Sequence, residues 1–165
     1  MSQSLQVLIE SLRQELQNYG EMLALLERQK GHLIARAACE IFQSISLIKA
    51  QGAAILQARA RREECRCLVA QECGQPDSCC FAALIPLLPA DYQPLLQALV
   101  EENNELLAQV RRRARQNHLM LRRSVELMQE LLSSLLPSRR SSVYNGTGHR
   151  QTFLAAPRRL YEAVG

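Results

Sequence analysis

Apolar residues recur along the chain at helical rather than strand spacing. Leu5, Leu12, Tyr19, Leu26 and Leu33 form a seven-residue series, and Ile9, Leu16 and Leu23 follow a second series offset by three or four. This alternation is the stripe of a coiled-coil helix and predicts a first helix over 4–33. Ser4 is its candidate N-cap. A second helix is predicted over 38–71. There Ile34, Ile41, Ile48, Ile55 and Val69 hold one register, broken by Arg62, and Ile45 and Gly52 hold the other. Gly52 either permits close helix approach or is simply a tolerated small residue. The stripe weakens after Leu56, where Arg59, Arg61, Arg62, Glu63 and Glu64 cluster, so this end is expected to fray or pack loosely. Gly31 and Arg36-Ala37 are alternative positions for the first turn, and one continuous helix also fits the pattern.

A connector over 72–90 follows, opened by the breaker cluster Cys73-Gly74-Gln75-Pro76-Asp77-Ser78. Its Phe81–Leu88 stretch is apolar enough to pack back on the helices. A third helix is predicted over 91–136, with Asp91 as N-cap and Pro94 in the first turn. Val100, Leu107, Ala114, Leu121, Met128 and Leu135 hold one register; Leu96, Asn103, Val110, Asn117, Ser124 and Leu131 hold the other. Such a helix is about 65–70 Å long at ~1.5 Å per residue, so part of its apolar face is expected to lack an internal partner. Pro137 ends it. The fold class is therefore all-α: an elongated antiparallel bundle or coiled coil of three long helices over 1–137, with a flexible tail over 138–165. Asn145-Gly146-Thr147-Gly148 reads as loop and turn within that tail.

Composition narrows the chemistry. The chain has no Trp and only two aspartates, Asp77 and Asp91. His32, His118 and His149 are far apart in sequence, and no nucleophile elbow, phosphate-binding glycine loop or zinc-protease helix motif occurs. No enzymatic activity and no cofactor are expected. Five of the six cysteines (Cys65, Cys67, Cys73, Cys79 and Cys80) crowd the connector, but no C-x-x-C pair occurs. Small buriable thiols explain them better than a metal site. The opening residues lack a basic and apolar export signal, so reduced thiols in a cytoplasm are expected. The apolar run over 81–90 is too short and too broken by proline to insert stably in a membrane. A net charge of +4 is mild. Arg111, Arg112, Arg113, Arg115, Arg122 and Arg123 concentrate on the third helix, but glutamates offset them and no aromatics interleave, so nucleic acid is not expected.

Two features of the third helix stand out. Asn103 and Asn117 fall on its apolar stripe, where a polar residue sacrifices stability to fix register; a register off by one would put them on the surface instead. Leu106, Leu107, Val110, Leu121, Met128, Leu131, Leu132, Leu135 and Leu136 form a face wider than a two-position seam. That face reads equally as core and as a groove for a partner helix.

The order of these features resembles the FlgN-type flagellar export chaperones. The residues that carry the resemblance are Leu25-Leu26-Glu27, Leu33, Ala35-Arg36, Lys49, Ile55-Leu56 and Arg61-Arg62. The strongest run is Glu102-Asn103-Asn104-Glu105-Leu106-Leu107, followed by Asn117, Leu121, Leu131-Leu132, Tyr144 and Gly146. The resemblance implies a small cytoplasmic chaperone, without ATP hydrolysis of its own, that binds the C-terminal helical segments of hook-associated proteins. It would hand them to the flagellar export gate. On this reading the client surface is the face from Leu106 to Leu136, Tyr144 is the candidate contact with the gate, and the chaperone is a monomer or weak homodimer. The alternative is a structural coiled-coil scaffold that self-oligomerises.

Overall fold

The structure is a computed structural model that describes residues 2–135, 142–144 and 150–152. It is helical, with long helices packed together. The long helices are α1 (Ser2–Ala35), α2 (Ala38–Glu72) and α4 (Gln93–Leu135). The connector adds a helix that the heptad pattern did not predict, α3 (Phe81–Leu84), which runs into a 3-10 turn at Ile85–Leu87. In the tail, β1 (Ser142–Tyr144) pairs antiparallel with β2 (Arg150–Thr152), where the sequence reading expected only loop. Val, Tyr and Thr in these segments favour extended backbone. Asn145-Gly146-Thr147-Gly148 lies outside the described residues.

Two compact units divide the chain, Met1–Arg123 and Ser124–Gly165. In the first, the turn after α1 falls at Arg36-Ala37, not at Gly31. Arg36 takes a left-handed φ of 55°, the Arg36 N–H bonds the Leu33 carbonyl at 3.3 Å and the Ala37 N–H bonds that of His32 at 3.0 Å. This is a Schellman cap with arginine in the position glycine usually fills. It turns the chain so that α2 runs back along α1. Gln51 bonds Asn18 and Glu21, Arg62 reaches Glu15, and Ser4 donates to Glu72 at 2.6 Å. Ser4 thus ties the two helices together from within α1 and does not cap it. α2 closes on a second Schellman cap with Gly74 at φ 69°, where Gln75 N–H reaches Ala70 O at 2.8 Å. α4 opens at Gln93, with the Tyr92 carbonyl accepting from Leu96 N–H at 3.0 Å, so Tyr92 takes the cap position expected of Asp91.

The core has two parts. Leu5, Leu8 and Leu12 of α1 meet Cys65, Val69 and Ala70 of α2, Leu84 and Leu88 of the connector, and Leu96 and Leu99 of α4. Burying each large aliphatic side chain contributes about 1.5–3 kcal/mol. The C-terminal end of α2 is therefore packed, against the expectation of fraying. Arg66 is buried and donates to the carboxylate of Glu63 and to the carbonyls of Asp77 and Cys79, which pins the connector onto α2. The Glu63 carboxyl is held below the usual range by its hydrogen bond from Arg66. The second part gathers Tyr19, Met22 and Leu26 of α1 and Ile55 of α2, with Ile48, Leu106, Leu107 and Val110 packed against them.

The buried seam of α1 combines the predicted Leu5–Leu33 series with Leu8, Glu15, Met22 and Gln29, one residue before the predicted second series, of which Ile9 is also buried and Leu16 and Leu23 are half-buried. Glu15 and Gln29 lie within it because each is answered from another helix. Tyr19 donates its hydroxyl proton to Glu15 at 2.6 Å. Arg62 Nε lies 2.9 Å from the same carboxylate, but its N–H is not aimed along that line, so the contact is an ion pair rather than a hydrogen bond. Burial, and then the bond to the Glu15 carboxylate, push the Tyr19 hydroxyl up to about 12.

Candidate functional site

The site-bearing helix is α4, and two asparagines place it. Asn103 Nδ2 donates to the Leu12 carbonyl at 3.1 Å and Asn117 Nδ2 to the Leu26 carbonyl at 2.7 Å, both across a separation of 91 residues. A constant separation means that α4 runs parallel to α1 in a fixed register. Asn117 also bonds Gln29 Oε1 at 3.0 Å, and Arg113 pairs with Glu27 at 3.5 Å. Both asparagines are buried, so the interior reading of the sequence holds over the surface one. A buried polar residue on an apolar stripe is the device that fixes register in coiled coils.

With α4 fixed, the nine apolar residues of its wide face fall into different settings. Leu106, Leu107 and Val110 are half-buried against the Tyr19, Met22 and Leu26 cluster. Leu121 is half-buried as well. In the second unit Met128, Leu131, Leu132 and Leu135 are 60, 59, 51 and 75% exposed. Neighbouring Val125 and Leu127 are also about half exposed, at 53 and 48%. Leu136 lies outside the described residues. Tyr144 ends β1 opposite Arg150, and its side chain lies outside the described residues.

Further apolar residues face solvent on α2, where Phe42, Ile45 and Leu56 are 71, 43 and 67% exposed. Sequence reasoning did not single out Phe42, which lies beside, not on, the heptad series of Ile41, Ile48 and Ile55; its spacing of three residues to Ile45 was the available signal. The cysteines divide by setting: Cys65 and Cys79 are buried in the core, Cys73 packs against it, and Cys39 and Cys80 are exposed. Among the described residues no cluster of His, Cys, Asp or Glu is placed to hold a metal, and no helix is long and apolar enough to cross a membrane.

Fold and surface define a helical-bundle protein that displays open apolar rows along its helices, a surface suited to other helices. The chain matches the family model of the FlgN protein over residues 1–152 and belongs to that family, whose members are flagellar export chaperones. No curated protein and no solved structure matches the chain.

Proposed function

We propose that this protein is a cytoplasmic type III export chaperone. It binds the C-terminal helical segments of hook-associated proteins, keeps them soluble and delivers them to the flagellar export gate. The observation that carries the reading is the exposed row Met128, Leu131, Leu132 and Leu135 on the last turns of α4, in a chain of the FlgN family. An amphipathic client segment has an apolar face that aggregates when left in water, and a second apolar face covers it by helix-in-groove binding. The ordering cost of a disordered client keeps affinity moderate, which suits a chaperone that must release its cargo. The client surface on this reading is Leu106, Leu107, Val110, Leu121, Met128, Leu131, Leu132, Leu135 and Leu136, with the exposed members making the first contacts. Tyr144 meets the export gate. The protein works as a monomer or weak homodimer.

Co-purification with the C-terminal segments of hook-associated proteins from the same genome tests the reading. The expected result is a one-to-one complex in which the client segment resists proteolysis. Failure to form a complex with any of them, alongside a stable self-oligomer, would overturn it in favour of a scaffold.

A further inference from the structure

Two rows of residues run along α2. One faces α1: Ser44, Ile48, Gln51, Ile55 and Ala58 are buried or half-buried, with Gln51 bonding Asn18 and Ile55 packed with Tyr19, Met22 and Leu26. The second row is Phe42, Ile45, Lys49, Gly52, Leu56 and Arg59. From Ile45 on, each member follows a residue of the first row by one position, so the second row is turned about 100° away from the first. It keeps the alternating three-four spacing of a coiled-coil seam without a break. Its large apolar members are left open, with Phe42, Ile45 and Leu56 at 71, 43 and 67% exposure. Ser46, Ala53 and Ala60, all small and exposed, border the row on one side and hold no second helix away.

A row of this spacing reads the same in both directions, so it can pair with a copy of itself turned end for end. With a two-fold axis at the level between Ala50 and Gln51, Ile45 of one copy meets Leu56 of the other, Lys49 meets Gly52 and Phe42 meets Arg59. Isoleucine on leucine closes an apolar contact on each side of the axis. Gly52 leaves room for the Lys49 stem to lie along the facing helix with its amine in water. The Arg59 side chain, 41% exposed beside Glu15, offers a cation to the Phe42 ring. One step farther out, Glu63 meets Ala38 at the start of α2, where Ala37 supplies no side-chain cap and a carboxylate is favoured. A parallel pairing would set Lys49 on Lys49 and Arg59 on Arg59, and would leave Gly52 facing Gly52.

We propose that the second row of α2 is a homodimer interface, joining two copies of the chain antiparallel, α2 on α2. An isologous contact of this kind uses one surface of the chain twice. It goes beyond the proposed function, which leaves monomer and weak homodimer open and assigns no surface to self-association, and it involves neither the Met128–Leu135 row nor a client. The row spans about 26 Å of helix, a short contact beside those of obligate dimers, and the two Lys49 amines flank the axis, so the dimer is weak and reversible.

The test is sedimentation velocity on the full chain from about 1 to 200 μM, with helicity followed by circular dichroism. The parent should pass from monomer to dimer within that range, and its dimer should hold or tighten as sodium chloride is raised. Ile45→Lys and Leu56→Glu should each weaken association at least about tenfold without loss of helicity, since both side chains are exposed. The two substitutions combined in one chain should recover association at low salt, because antiparallel pairing sets each new lysine against a new glutamate, and the recovered dimer should loosen as salt is raised. A parent that stays monomeric throughout overturns the proposal. So does a dimer that the single variants leave unchanged, which places the contact on another face, or a double variant no better than the singles, which excludes the antiparallel register. If the parent is monomeric and Leu56→Glu instead weakens a hook-associated segment, the face belongs to the client, and the chaperone reading stands without this dimer. If the variants behave as expected and no hook-associated segment binds, the dimer stands and the chaperone reading fails.

Discussion

Arg36 and Tyr19 show how single side chains set local stability. Arg36 sits in the left-handed region that suits glycine, yet it ends α1 and permits the α1–α2 hairpin. A non-glycine residue there costs about 1–2 kcal/mol, partly offset in a glycine variant by the greater freedom of its unfolded chain. Arg36→Gly should therefore stabilise the protein by roughly 1 kcal/mol and raise Tm by about 2–4 °C, measured by thermal unfolding. An unchanged or lower Tm would mean that the arginine side chain contributes contacts outweighing its strain. Tyr19 makes a pH-dependent contribution. Its hydroxyl holds its proton to about 12 in the folded protein against 10 in the unfolded chain. Between those values the folded state binds more protons, so this contribution is complete below pH 10 and falls away as pH rises toward 12. Tyr19→Phe should lower stability at neutral pH by about 1–2 kcal/mol, because Glu15 loses a buried donor. It should also flatten the alkaline decline in denaturant unfolding. A decline as steep as that of the parent would show that Tyr19 does not cause it.

At the scale of the helix, register is the quantity the sequence encodes most economically. The periodicity of apolar residues marked the long helices, because a spacing of three and four brings those residues onto one face of a helix. It put Asn103 and Asn117 on the stripe, but a shift of one residue would have put them on the surface, and only their bonds to α1 carbonyls decide for the interior. It misled where polar residues are buried in pairs. Glu15, Gln29 and Arg66 look like surface residues in a hydropathy pattern, and only their partners, Arg62 of α2 for Glu15, Asn117 of α4 for Gln29 and the connector carbonyls of Asp77 and Cys79 for Arg66, reveal them as buried. The same blindness produced the expectation that α2 frays after Leu56. The two asparagines separate register from stability. Asn117→Ala leaves Gln29 Oε1 without its buried donor and should lose about 1–3 kcal/mol in denaturant unfolding. Asn103→Leu should be better tolerated than Asn117→Leu, because no protein donor reaches the buried Asn103 Oδ1. Replacing both by Leu should keep or raise stability while allowing mixed registers or oligomers, visible as a broadened peak in light-scattering chromatography. A double Leu variant that remains one species would assign register to the connector and not to the asparagines. Gly52 resolves the other way from the close-approach idea. A Cβ built there meets nothing within 4 Å, so Gly52→Ala should add about 0.5–1 kcal/mol through helix propensity alone.

For the whole molecule, the allocation of apolar surface separates scaffold from client handling. The first unit builds its core chiefly at the connector end, where Leu5, Leu84, Leu96 and Val69 are almost fully enclosed. The end of α4 buries none of Met128, Leu131, Leu132 and Leu135. The width of that face was legible in the sequence, but its division was not. A leucine packed on Tyr19 and one open to solvent occupy equivalent heptad positions and differ only in what lies opposite. The central claim is that the open residues are the client surface and contribute little to the fold. The most direct measurement is the affinity of Leu132→Asp with Leu135→Asp for a C-terminal hook-associated segment, read together with helicity by circular dichroism. The account predicts that client binding falls by at least about a hundredfold, from two charges placed in an apolar contact, while helicity stays within error of the parent. Undiminished client binding, or a collapse of helicity along with it, would contradict the account.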